Sequence, residues 1–256
     1  MFLWDKIAFG PVHSRRLGNS LGVNVSPTTQ KICSFDCIYC ECGWTLEKNI
    51  NPEFFFSVEE IISAIEKKLR ACIETNTPID SITFSGNGEP TLHPDFSQII
   101  DFLITLRNTY YPKTAITCLS NATQLTNPHV LVALQKIENP VLKLDAVTEP
   151  LFKLINKPII PVSVEEIIQH LRQLKGNFIL QSLFFKGKFN GQFFNNAADP
   201  HLSVWMDTVK QLRPQNVMLY SLDRDTPAQM LERIPIEHLQ NIAQQLHTFG
   251  ILANAY

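Results

Sequence analysis

Cys33-Ser34-Phe35-Asp36-Cys37-Ile38-Tyr39-Cys40 is the stretch on which the reading of this chain turns. Three thiols spaced four and three residues apart suit one short loop wrapped around a cubic iron–sulfur cluster. Such cubes usually take four Cys thiolates, so a trio leaves one iron without a protein ligand, and an open position points to chemistry rather than electron storage. Two other readings stay open on spacing alone. With Cys42 the loop holds four thiols, enough for a structural zinc knot, although zinc sites usually draw on two separated Cys pairs. A four-Cys electron carrier is the other, although those runs use tighter C-x2-C-x2-C spacing. Disulfides fit worst, because the first residues, Met-Phe-Leu-Trp-Asp-Lys, lack a basic and then apolar leader, and six Cys in 256 residues then imply a reducing compartment.

Composition narrows the field further. At 45% hydrophobic and 18% charged residues the chain carries enough apolar material for a large core. A formal net charge of −2 gives no overall pull toward nucleic acid. No apolar run reaches the length of a membrane span, so no membrane partner and a cytoplasmic location are expected. Most of the 17 Phe are expected to fill the core, with some walling off a reactive site.

Outside the Cys loop, short apolar runs alternate with helical patterns. Strands are expected over 21–26, 81–85, 114–119, 141–146, 178–184 and 216–222, each followed by helical spacing. Ser57-Val-Glu-Glu60 and Ser163-Val-Glu-Glu166 are capping boxes, followed by one-sided apolar faces at Ile61, Ile62, Ile65 and Leu69 and at Ile167, Ile168, Leu171 and Leu174. Further helices are expected over 95–108, 128–136, 200–212 and 235–249, with Asp199 as a cap and Pro200 in the first helical position. Six βα units imply a parallel sheet with right-handed crossovers, too few for the usual eight-fold barrel, and an open doubly wound sheet fits the alternation as well. Several strands carry polar residues on one face: Thr83 with Ser85, Lys143 with Asp145, and Gln181. Either a ligand-filled lumen or, for Lys143 and Asp145, a satisfied buried ion pair explains them.

Phe84-Ser85-Gly86-Asn87-Gly88-Glu89-Pro90-Thr91 follows the second strand. Its glycines allow a tight turn and close approach of backbone to a ligand, and Glu89 offers a charged acceptor for an ammonium group. The segment sits at the C-terminal strand edge, where parallel α/β folds place ligands.

Together the Cys loop and this segment resemble the radical S-adenosylmethionine superfamily. The resemblance implies a partial (β/α)6 TIM-like barrel and an enzyme. Its cofactors would be a 4Fe–4S cluster on Cys33, Cys37 and Cys40, and S-adenosyl-L-methionine bound at the bare iron. It further implies that Tyr39 lies by the adenine and that Gly86, Asn87, Gly88 and Glu89 bind the methionine, with Glu89 on its ammonium. The main-chain role should survive Asn87, which stands where many members have Gly, because Asn tolerates left-handed backbone. Asn121 and Asp145, at the ends of the third and fourth strands, would serve the nucleoside. One radical S-adenosylmethionine domain is expected across 1–256. Residues 1–26 form an N-terminal segment and first strand, 27–45 the cluster loop, 46–249 the remaining βα units and 250–256 a short tail. The implied partners are an unidentified substrate (small molecule, peptide or tRNA) and an electron donor such as flavodoxin or ferredoxin.

Residues 9–23, rich in Gly and basic side chains, resemble the branch containing the wyosine-type tRNA synthetases and their relatives, which would make tRNA base modification one substrate reading. Those enzymes carry extra N-terminal cysteines, and residues 1–32 here have none. Arg15 and Arg16 are candidates for a substrate carboxylate or phosphate, against a bland reading as salt bridges at the barrel mouth. Lys143, Gln181 and Arg224 complete the substrate candidates. The alternative to an enzyme is an iron–sulfur carrier or a zinc-bound RNA-binding module without turnover.

Overall fold

The computed structural model describes residues 2–256; Met1, part of the expected N-terminal segment, lies outside them. Six strands run parallel, side by side in chain order: β2 (Gly18–Val23), β3 (Ser81–Phe84), β4 (Ala115–Ser120), β5 (Asn139–Lys143), β6 (Ile179–Leu183) and β9 (Asn216–Tyr220). These are the six expected strands, and their curled sheet is the expected half-barrel. The edges carry two strands the sequence reading lacked. β1 (Ala8–Ser14) pairs antiparallel with β2, and β11 (Ala253–Ala255) pairs parallel with β9.

Helices pack over the outside. α1 (Val58–Glu74) opens on the Ser57 capping box, with Ser57 Oγ accepting from the Glu60 N–H at 3.2 Å and the Glu60 carboxylate accepting from the Ser57 N–H at 2.8 Å. Such a cap contributes about 1 kcal/mol. The helix buries Ile61, Ile65, Leu69 and Cys72 against the sheet. α2 (Phe96–Tyr110), α3 (Pro128–Gln135) and α4 (Glu149–Ile155) follow, then α5 (Val164–Gln173), which starts on the second capping box. α6 (His201–Leu212) and α7 (Ile236–Thr248) complete the layer. The start of α6 departs from expectation: Pro200 occupies the cap itself, and the Asp199 carboxylate accepts from the Ser203 N–H at 3.1 Å.

A second, three-stranded antiparallel sheet has the order β10 (Leu231–Arg233), β7 (Phe185–Phe189), β8 (Gln192–Asn195). Because β7 follows β6 and β10 follows β9, this sheet stands at the C-terminal edge of the barrel. On the inner face of the main sheet, hydroxyls form a chain: Ser20 to Thr83 at 2.7 Å, Thr83 to Ser81 at 2.9 Å, and Ser81 to Thr117 at 2.7 Å. The Asn139 amide closes it, donating to Thr117 at 3.1 Å. Polar strand faces thus mark the lumen, and their members satisfy one another.

Candidate active site

The Cys loop is sewn to the barrel by main-chain bonds. The Ile32 N–H donates to the Asn87 carbonyl and the Glu89 N–H to the Ile32 carbonyl, both at 2.9 Å. On the other side the Asp36 N–H reaches the Lys157 carbonyl at 2.9 Å, and the Ile38 N–H reaches the Ile155 carbonyl at 3.0 Å. Gly88 makes the first contact possible. Its φ of +138° is strained for other residues, and a Cβ there would overlap the Ile32 carbonyl oxygen.

This docking turns the thiols of Cys33, Cys37, Cys40 and Cys42 into one cavity of about 140 Å³, with Gly86, Gly88 and Glu89 lining the same space. Two buried or nearly buried ammonium groups join them. Lys143 Nζ lies 3.1 Å from Cys37 Sγ and 3.5 Å from the Asp145 carboxylate. Lys31 also lines the cavity and donates to the Gly43 carbonyl at 3.0 Å. Burial lowers the Lys31 pKa, but the thiols of Cys40, Cys33 and Cys37 outweigh it and hold the ammonium above its ordinary value. Lys143 is likewise held well above its usual value: burial opposes the charge, and Cys37 and Asp145 overcome it. Burial pushes the Cys33 thiol up to about 12, whereas the neighbouring Cys42 draws the Cys40 thiol down; the Cys42 thiol itself donates to the Gly86 carbonyl at 3.3 Å.

The donor set fits an anionic iron–sulfur cluster. Side-chain amides of Asn121 and Asn156 are aimed at Cys33 and Cys37, each at 3.7 Å, and the Phe35 N–H lies 3.5 Å from Cys33 Sγ. Hydrogen bonds to sulfur and nearby positive charge are what such a cluster needs. A single zinc ion fits less well. The four thiols come from one loop, whereas zinc sites usually draw on two separated Cys pairs.

The remaining predicted residues divide. Glu89 is buried and lines the cavity, but its carboxylate already accepts from the Thr91 N–H at 3.1 Å, the Thr91 hydroxyl at 2.5 Å and the Asn121 N–H at 2.7 Å. Burial raises its pKa even against those bonds. The Asn87 side chain turns away from the cavity: it pairs with the Trp4 N–H and carbonyl and with the Pro27 carbonyl, at 2.8 to 2.9 Å. Its backbone is not left-handed, so the departure from Gly anchors the N-terminal segment rather than easing a turn. Asp145 is absent from the lining of the cluster cavity. One carboxylate oxygen accepts from the Leu183 N–H at 2.9 Å, and the other takes the Tyr39 hydroxyl and the Asn156 amide. Asp145 thus forms with Lys143 the buried ion pair that was one reading of that strand face. The Tyr39 ring, beneath Lys143 at 4.9 Å, walls the cluster cavity.

Tyr39 and Leu119 are shared with a second chamber of about 320 Å³ at the barrel mouth, where all three candidate arginines lie. Arg15 pairs with Asp223 at 2.9 Å and Arg224 with Glu41 at 2.8 Å, and all four side chains are exposed. These two take the bland reading. Arg16 differs: its guanidinium lies 4.5 Å over the Tyr220 ring, and Nη1 donates to Gln181 Oε1 at 3.1 Å. Burial pushes the Tyr220 phenol up to about 12, so it stays neutral.

Lys31, Asn156 and Tyr220 were missed from sequence. A lysine two residues before a loop that gathers thiolates was a usable signal for Lys31. Nothing marked Asn156, which caps α4, a helix the periodicity did not disclose.

A radical SAM superfamily model matches residues 28–188, more than half of the chain, and includes both motifs. The chain belongs to the radical SAM superfamily. It is 34% identical over 221 residues to a UPF0026 protein of Helicobacter pylori, covering 85% of this chain and 67% of that one. It is also 34% identical over 172 residues to the UPF0026 protein MJ1312 of Methanocaldococcus jannaschii, where the match spans 67% of this chain and 50% of the relative. The chain thus spans between half and two thirds of the length of these curated relatives. Its fold resembles a radical SAM methyltransferase from Sphaerobacter thermophilus, with a TM-score of 0.67 at 16% identity over 93% of this chain and 65% of that one. Archaeal TYW1 shares the fold at a TM-score of 0.51 and 15% identity, over 90% of this chain and 71% of that one. Among the described residues no helix is long and apolar enough to cross a membrane.

Proposed function

We propose that the protein is a radical S-adenosylmethionine enzyme that abstracts hydrogen from a substrate, with Cys33, Cys37 and Cys40 as the cluster ligands. One observation carries this reading: Cys33, Cys37 and Cys40 of a single loop, with Cys42 beside them, line one cavity together with Gly86, Gly88 and Glu89. A cluster and S-adenosylmethionine together supply, when bound, one-electron cleavage of the sulfonium to a 5′-deoxyadenosyl radical. The chain's own residues do the rest. Lys143 and Lys31 balance the charge of the thiolates, and Asn121 and Asn156 donate to their sulfurs. Glu89 keeps capacity for the methionine ammonium, since a carboxylate has about four lone-pair sites and three are engaged. Tyr39, held by Asp145, offers a fixed face to the adenine. Asp145 then acts on the nucleoside through Tyr39 rather than by touching the ribose. A flavodoxin- or ferredoxin-like protein would provide the electron.

Anaerobic reconstitution tests this. About four irons per chain are expected, with 5′-deoxyadenosine released on adding dithionite and S-adenosylmethionine. Four irons without nucleoside release would favour an electron carrier. One equivalent of zinc and no nucleoside would favour a binding module.

A further inference from the structure

Among the described residues that line the mouth chamber, Arg16 is an arginine with no carboxylate at salt-bridge distance. Arg15 and Arg224 are each matched by a carboxylate, Asp223 and Glu41, within salt-bridge distance. Arg16 forms no ion pair among the described residues; its guanidinium meets the neutral amide of Gln181 and the face of Tyr220. Stacking occupies the flat face of a guanidinium and leaves its edge, where the N–H groups lie, free to fork onto an oxyanion. The neighbouring hydroxyls of Ser20 and Thr83 also line the chamber and add no charge.

We propose that Arg16 anchors the carboxylate of a small-molecule substrate in this chamber, an inference that rests on the radical-enzyme reading above. One uncancelled positive charge matches a monoanion better than a phosphoryl dianion, which usually gathers several cations or backbone N–H groups. A chamber of about 320 Å³ suits a small molecule. The position is the further argument. Gln181, bonded to Arg16, lines the cluster cavity, and Tyr39 and Leu119 belong to both spaces. A carboxylate on Arg16 therefore leaves the rest of its molecule one side chain from where the radical would form. Arg16 does not line the cavity of the thiols, so the methionine carboxylate is not expected to reach it.

The test uses anaerobic holoprotein and three probes in calorimetric titrations: butyrate, its neutral isostere butyramide, and inorganic phosphate. Butyrate is expected to bind at least about tenfold more tightly than butyramide, and more tightly than phosphate. Arg16→Gln is expected to erase the preference for butyrate, Arg16→Lys to weaken it, and Arg15→Gln to leave it unchanged. S-adenosylmethionine affinity and the cluster absorbance of Arg16→Gln should match the parent protein. No butyrate binding, parity with butyramide, tighter phosphate binding, or an unaltered preference in Arg16→Gln would each overturn the proposal. So would a fall in S-adenosylmethionine affinity in that variant, which would assign Arg16 to the cofactor instead. If Arg16→Gln does not fold, the butyrate-to-butyramide ratio of the parent protein decides alone. Deoxyadenosine release without substrate is measured on the same samples, so failure of the enzymatic reading shows separately from failure of the anion site.

Discussion

The two chambers that meet at Tyr39 and Leu119 both contain basic side chains, in opposite conditions. At the mouth, the ion pairs of Arg15 with Asp223 and Arg224 with Glu41 join side chains that are 45 to 60% exposed. Against the cluster cavity, Lys143 is 14% exposed and its carboxylate partner Asp145 is fully buried. The difference teaches where charge has energetic weight. A surface pair trades one solvated state for another and contributes little. A buried group has lost its water and depends on every partner it retains. Arg107 with Glu138 lies between, with a guanidinium 10% exposed facing a carboxylate 44% exposed.

Lys143→Met should show the largest effect, because it strands Asp145 and removes the donor to Cys37. About 3 kcal/mol of stability is expected to go, seen as a fall of several degrees in the Tm of the holoprotein. The reduction potential of the cluster, followed by electron paramagnetic resonance, should also move negative. An unchanged Tm and potential would break the distinction between the chambers.

Glu138→Gln should have an intermediate effect of about 1 kcal/mol at neutral pH in urea titrations. Burial pushes the Glu138 carboxyl up, but the Ile116 N–H and the Arg107 guanidinium outweigh it and hold it below the ordinary carboxylate range. A depressed pKa contributes stability that is full above the unfolded value and disappears as pH falls through the folded one. The gap between parent and variant should therefore close in acid, and a gap that widens there would reverse the assignment.

Arg224→Ala should have the smallest effect, within about 0.5 kcal/mol. A loss above about 2 kcal/mol in the same titration would mean that the mouth pairs are not the solvated contacts their exposure indicates.

Legibility from sequence followed the same divide between buried and exposed. The six core strands announced themselves because each carries a short apolar or β-branched run, interrupted by the polar residues that face the lumen. β1 did not, since Gly10-Pro11 reads as a loop, and the strand pairing does shift register there, between Phe9 and Val12. β7 and β8 were hidden for a related reason: Lys186, Gln192 and Phe193 are exposed and Gly187 and Lys188 half-buried, so no packed apolar run marks either strand. In the site, covalent spacing made Cys33, Cys37 and Cys40 readable in one line. Asp145 was found and its partner was not, because Asn156 arrives from another element and only the fold brings them within 2.9 Å. Arg15 and Arg16, adjacent in sequence, were indistinguishable until their neighbours were known.

The backbone stitches between Ile32 and Gly88, and from Asp36 and Ile38 to the end of α4, have a consequence for how the holoprotein matures. A loop already pinned at both flanks owes its shape to the polypeptide, and iron enters a mould instead of casting one. Stripping the metal should then leave the amides of Ile32, Ile38 and Glu89 as slow to exchange with deuterium as before.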